Sequence, residues 1–100
     1  MIKLTVLYGH PTDPTAFEEY YTNTHLPIAA TMKGIDKVEY TKFLSAPDGS
    51  QPAHYRMAEF WVASADALRA TMHSPEGTAT STDLKNFATG GVTFLVGVVE

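Results

Sequence analysis

The chain opens on a strict alternation. Ile2, Leu4, Val6 and Tyr8 share one parity and Lys3, Thr5 and Leu7 the other, so Ile2 to Tyr8 reads as a strand. Gly9-His10-Pro11-Thr12 breaks the pattern, and Asp13-Pro14 then supplies an N-cap followed by a proline suited to a first helical turn. From there the period becomes helical. Phe17, Tyr21, Thr24, His25, Ile28 and Met32 fall on one side, while Glu18, Glu19, Thr22 and Asn23 lie elsewhere. Pro27 cannot donate to the Asn23 carbonyl and its ring crowds that turn, which predicts a kink or an end near His25-Leu26-Pro27. His25 is thereby placed beside a backbone defect. Its simplest structural task there is a hydrogen bond to the carbonyl that Pro27 frees. Gly34 suits the C-terminal end of this helix.

A second strand is predicted over 38–44, with Val38, Tyr40, Lys42 and Leu44 set against Glu39, Thr41 and Phe43. The segment 46–52 carries two prolines and an Asp-Gly pair and reads as an exposed turn. From Tyr55 to Val62 both parities are apolar, with Met57 and Trp61 on one face and Ala58, Phe60 and Val62 on the other, so this strand needs cover on both sides. Ser64 caps a second helix through Asp66, Leu68, Arg69 and Met72. Ser74-Pro75-Glu76 is a further cap leading into a short helical stretch, weakened by Gly77 and several threonines, with Leu84 and Phe87 as its expected buried contacts. Gly90-Gly91 turns the chain into a last strand, 92–99, apolar on both faces.

The order strand, helix, strand, strand, helix, strand is the split βαβ pattern. It predicts an α+β, ferredoxin-like fold over 1–100 as one domain: a four-stranded antiparallel sheet with helices on one face. The other face then lacks a cover. Leu7, Leu95, Val99 or their alternates would meet water as a large patch, so two copies are expected to pair sheet to sheet across a two-fold axis, giving a homodimeric α/β barrel.

Composition narrows the function. Apolar residues make up 44% and charged residues 18%, a globular balance, and the net charge of −4 leaves no basic stripe for nucleic acid or an anionic membrane surface. No run is long enough to span a membrane and the first residues enter a strand, so a cytoplasmic location is expected. The absence of cysteine removes disulfides, thiolate catalysis and thiolate-bound metals. His10, His54 and His73 form no paired ligand motif, and Gly90-Gly91 lacks the lysine-bearing surroundings of a phosphate loop; neither a metal nor a cofactor is expected. His25 is the residue with chemistry to offer. An imidazole on the apolar side of a helix exchanges a proton near neutral pH, with Tyr21 or Tyr40 placing a substrate oxygen; a satisfied core histidine is the structural alternative. Likewise Phe17, Tyr20, Tyr21, Tyr40, Phe60 and Trp61 read first as core and second as the wall of an aromatic pocket.

Tyr20-Tyr21-Thr22-Asn23-Thr24-His25-Leu26-Pro27, together with Ser74-Pro75-Glu76-Gly77, Asp83-Leu84-Lys85-Asn86-Phe87 and Gly90-Gly91, resembles the EthD family, a branch of the dimeric α/β-barrel proteins. The resemblance spans essentially the whole chain. The family takes its name from a protein needed for ethyl tert-butyl ether degradation. Wider relatives include muconolactone-type isomerases, polyketide cyclases and cofactor-independent monooxygenases, with pockets between helices and sheet. The resemblance singles out His25 as the matched family position; joined to the reading of the aromatic residues, it gives His25 and Tyr40 as expected catalytic residues and Phe17, Tyr21, Phe60, Trp61 and Glu76 as expected ligand contacts. Glu76 stands where some polyketide cyclases place a working histidine. Methylmuconolactone isomerases match around His25 and Trp61 but carry cysteine where Phe60 stands and tyrosine where Val38 stands, so their particular mechanism does not carry over. The function expected is small-molecule catabolism or secondary metabolism by a cofactor-independent acid/base enzyme of isomerase, cyclase or dehydratase type, acting on a cyclic or aromatic compound. The alternatives are a small-molecule carrier or a cofactor-free monooxygenase.

Overall fold

The computed structural model describes residues 1–100. Strand β1 (Ile2–Tyr8) leads to helix α1 (Pro14–Tyr20), a π-helical turn (Tyr21–His25) and a short helix α2 (Leu26–Ala29). Strands β2 (Lys37–Lys42) and β3 (Arg56–Val62) follow, then helices α3 (Ala65–His73) and α4 (Pro75–Asp83), a 3-10 turn (Leu84–Asn86) and strand β4 (Val92–Val98). The sheet runs β2-β3-β1-β4, every pair antiparallel, with helices over one face. This is the α+β, ferredoxin-like fold. No helix is long and apolar enough to cross a membrane.

Pro27 widens its helix and does not end it. The Leu26 N–H bonds the Tyr21 carbonyl five residues back, and the chain continues helically through Ala29. The wide turn sits just ahead of the residue that cannot donate, and it keeps both Tyr21 and His25 buried. Gly34, at φ +80°, lies in the loop beyond. The second helical layer is also fuller than its composition suggests. Asp13, Ser64 and Ser74 each cap a helix through their side chains, and Ser74 both closes α3 and opens α4. Gly77 is buried, and a Cβ there would overlap the Thr71 carbonyl, so its glycine permits the close approach of α4 to α3.

Cross-strand register assigns the faces. Leu4, Phe60 and Val96 lie side by side on the helix-side face of the sheet, as do Val6, Ala58 and Phe94. There Leu4, Val6, Tyr8, Ala58 and Phe60 meet Phe17, Tyr21 and Phe87 in one buried cluster. The opposite face is less greasy than the alternation suggests: Lys3 is paired with Glu59 at 3.0 Å, and the Lys3 and Lys37 ammonium groups lie 5.6 and 4.7 Å from the Trp61 ring centre. Exposed apolar surface gathers instead on β4, where Phe94 and Leu95, on opposite faces, are each about half exposed and Val96 and Val98 more so.

Candidate functional site

The helical stripe that carries Phe17 and Tyr21 inward carries His25 with them, leaving it 4% exposed. Its hydrogen bond goes to a side chain and not to the carbonyl freed by Pro27. Nδ1 lies 2.9 Å from Asp83 Oδ2, at the end of α4. Asp83 is itself buried, and its Oδ1 accepts from the Tyr20 hydroxyl at 2.6 Å and from Asn86 Nδ2 at 3.0 Å. Burial alone would raise the Asp83 carboxyl; the three donors outweigh it and hold the group below its ordinary value, hence ionised near neutral pH. For His25 the balance runs the other way. Burial lowers its pKa, and Asp83 only partly opposes the shift. The imidazole is therefore neutral at neutral pH. With an ionised carboxylate at Nδ1, that nitrogen carries the proton and donates, leaving a lone pair on Nε2. Phe87, with its ring centre 4.5 Å away, and Tyr21, nearly parallel at 5.9 Å, fix the plane of the ring.

His25 forms part of the wall of a cavity between sheet and helices. Leu4, Val6 and Tyr8 of β1 and Phe60 of β3 supply its sheet side, Phe94 an edge, and Met32, Met72, Thr80, Ser81 and Leu84 the rest. Its free volume is about 30 Å³, room for water and not yet for an organic molecule. Burial, reinforced by Tyr21 and Tyr40 nearby, pushes the Tyr8 hydroxyl far above its usual range, so it stays protonated. No lysine, arginine, aspartate or glutamate lines the cavity.

The residues singled out from sequence separate in space. His25 and Phe60 line the cavity. Tyr21 lies against His25, with its hydroxyl buried and unpartnered. Tyr40, opposite Ala58 on β2, is edge-on to both Tyr21 and Phe60 and 40% exposed, outside the cavity wall. Phe17 packs behind, between Tyr8 and Tyr55. Trp61 is on the far face of the sheet, beside Lys3, and Glu76 is in the first turn of α4 and absent from the wall. Sequence reasoning gave Asp83, Met32 and Met72 no part in a site, and it read Tyr20 as core or pocket wall where its hydroxyl in fact bonds Asp83. Asp83 did leave a signal: a carboxylate in the last turn of a helix opposes the helix dipole and calls for a partner.

A four-stranded antiparallel sheet roofed by helices, with an Asp-oriented histidine at a small, mostly apolar cavity between the two layers, defines the class as α+β, ferredoxin-like. The chain belongs to the EthD domain family, whose sequence profile matches residues 9–91. It is 36% identical over 95 residues to an uncharacterized 11.0 kDa protein from the thcB-thcC intergenic region of Rhodococcus erythropolis, covering 95% of this chain and 91% of that one. The crystal structure of an ethyl tert-butyl ether degradation (EthD) family protein from Bacillus halodurans C-125 superposes with a TM-score of 0.93 at 32% identity, over 100% of this chain and 99% of that one. At the level of fold alone, a dimeric ferredoxin-like protein of unknown function from Thermobifida fusca YX superposes with a TM-score of 0.74 at 12% identity, over 98% and 90% of the two chains.

Proposed function

We propose that this protein transfers protons on a small cyclic or aromatic compound without a cofactor, with His25 as the acid/base group. The observation that carries the reading is the division of labour on the imidazole: Nδ1 is held by buried Asp83, while the ring borders the cavity and Nε2 makes no hydrogen bond. Nε2 takes a proton from a substrate C–H or O–H, Asp83 stabilises the imidazolium that forms, and the same nitrogen returns the proton to another substrate atom, which is isomerisation or the closing step of a cyclisation or dehydration. Phe60 supplies an aromatic wall. The groups assigned to a substrate oxygen are the Tyr21 hydroxyl, buried without a partner beside the imidazole, and Tyr40 edge-on to it; both lie outside the present cavity wall, so this assignment requires the ligand to open the cavity toward them.

The test needs no known substrate. Small cyclic ketones and lactones are incubated with the protein in D₂O, and deuterium uptake at carbon is followed by mass spectrometry. Wild type is expected to catalyse exchange on at least one compound, and His25→Gln to lose it while binding that compound within a few-fold. Exchange that is equal in both proteins sinks the acid/base role; equal loss of binding and exchange points to a carrier.

The same reading places the chain in a homodimer. The Thermobifida fusca relative described as dimeric and the apolar residues left uncovered along β4 support it.

A further inference from the structure

Resting on the acid/base reading of His25, we infer that the ligand of this cavity is an uncharged, compact apolar compound that presents one weakly acidic O–H or N–H to Nε2, and that Met32 and Met72 are the walls it displaces.

Charge decides the class. An anion entering here meets no cation on the wall, and the nearest formal charge, Asp83 behind the imidazole, repels it. The one guanidinium near the aromatic core is spent elsewhere: Arg56 lies over the Tyr21 ring and makes two hydrogen bonds to Glu18, at 2.6 and 2.8 Å. A cation fares no better, because no carboxylate lines the cavity and both oxygens of Asp83, behind the imidazole, already accept from Tyr20, Asn86 and His25. Any charged group would lose its hydration against a mostly apolar wall, where the hydroxyl residues Tyr8, Thr80 and Ser81 supply no opposite charge. No hydrogen bond reaches Nε2 in this structure, although Tyr8, Thr80 and Ser81 share the wall, so a ligand donor can take that position.

Size decides the walls. A pocket that holds an organic molecule encloses at least about 300 Å³, and this one is closed to water-sized volume. Leu4, Val6 and Tyr8 are held by their strand between two neighbours, and Phe60 likewise. Met32, just past α2, and Met72, in the last turn of α3, are unbranched, only partly buried and free to change rotamer. Their withdrawal enlarges the cavity without breaking the sheet.

Phenol, benzoate and benzylamine share a ring and differ in charge. Each is titrated into wild-type protein near neutral pH by calorimetry, with the His25 ring ¹⁵N signals followed by NMR. Phenol is expected to saturate and shift Nε2, and the two ions to bind more weakly by about tenfold or more. Met32→Ala and Met72→Ala are each expected to favour 1-naphthol over phenol relative to wild type, by about threefold. Benzoate or benzylamine binding as tightly as phenol while shifting Nε2 overturns the uncharged class and leaves the acid/base reading standing. If none of the three shifts Nε2, that reading falls as well. A naphthol preference unmoved in both methionine variants overturns the assignment of the walls.

Discussion

For a histidine buried against a carboxylate, two effects compete: desolvation favours the neutral ring and the carboxylate favours the charged one. Desolvation prevails at His25, and the sign of the pH dependence follows. The unfolded ring binds a proton near its ordinary value of 6.5 and the folded ring resists it, so the stability contributed by the neutral pair is present above about pH 6.5 and is lost as pH falls through the lowered folded value. Asp83 shifts downward from 3.8, so its contribution is lost only in a more acidic window. Urea melts across pH should therefore show two acid steps in wild type, and His25→Gln should remove the upper one; an upper step that survives in the variant assigns it to another group. Asp83→Asn tests the orientation of the ring. The amide cannot serve Tyr20, Asn86 and His25 at once as the carboxylate does, so the variant should lose about 1–3 kcal/mol, and ¹⁵N NMR should show the proton leaving Nδ1 for Nε2. An unchanged tautomer contradicts the role given to Asp83. Of these two residues only His25 was legible in the sequence, through its helical face and the proline two positions on. Its partner lies 58 positions away, and only the fold shows that the two helix ends meet.

Strands and caps belong to the part of the fold that local chemistry dictates. The alternation of β1 and β3 and the cap residues Asp13, Ser64 and Ser74 appear in the structure where the pattern put them. The π turn at Tyr21–His25 was not legible, because Pro27 reveals that a bond is missing and packing decides how the backbone absorbs the loss. Gly77 reads in the sequence only as a weak point of its helix, and the packing adds a reason for it. In an isolated helix Gly77→Ala would stabilise by about 1 kcal/mol, but here the new methyl group would overlap the Thr71 carbonyl at the α3–α4 contact. Overpacking of this kind costs about 1–3 kcal/mol, so the substitution should lower the midpoint of thermal unfolding; a rise would mean that the two helices are not held this close. Glu18 gives a check on the tie between α1 and β3. Its hydrogen bonds with Arg56 hold the carboxyl down at about 2, so this tie persists under acid and loosens only as pH falls from 4.5 towards that value. Glu18→Gln should cost about 1 kcal/mol at neutral pH and flatten the stability profile in that acidic range.

Across the whole molecule, what needs explaining is β4, an edge strand with apolar side chains on both faces and little above either. Alternation told that the strand would be greasy; it did not tell that the rest of the open face would carry Lys3, Glu59 and the lysine-flanked Trp61. The distinction matters for how two copies meet. Register puts Leu95 on the open face and Val96 on the helix side. If the sheets pair face to face in a barrel, Leu95→Asp buries a charge at the seam, and Val96→Asp leaves one beside a rim that stays wet. Sedimentation should then show wild type as a dimer, Leu95→Asp weakened by about a hundredfold or more, and Val96→Asp weakened far less. The thermal midpoint of wild type should rise with protein concentration, because association stabilises only the folded chain. The reverse order of the two variants would mean that the copies meet along the helix side of β4, bringing the partner to Phe94 and the edge of the cavity. A monomer at every concentration would leave Phe94, Leu95, Val96 and Val98 exposed in solution, a patch that small folded domains seldom tolerate.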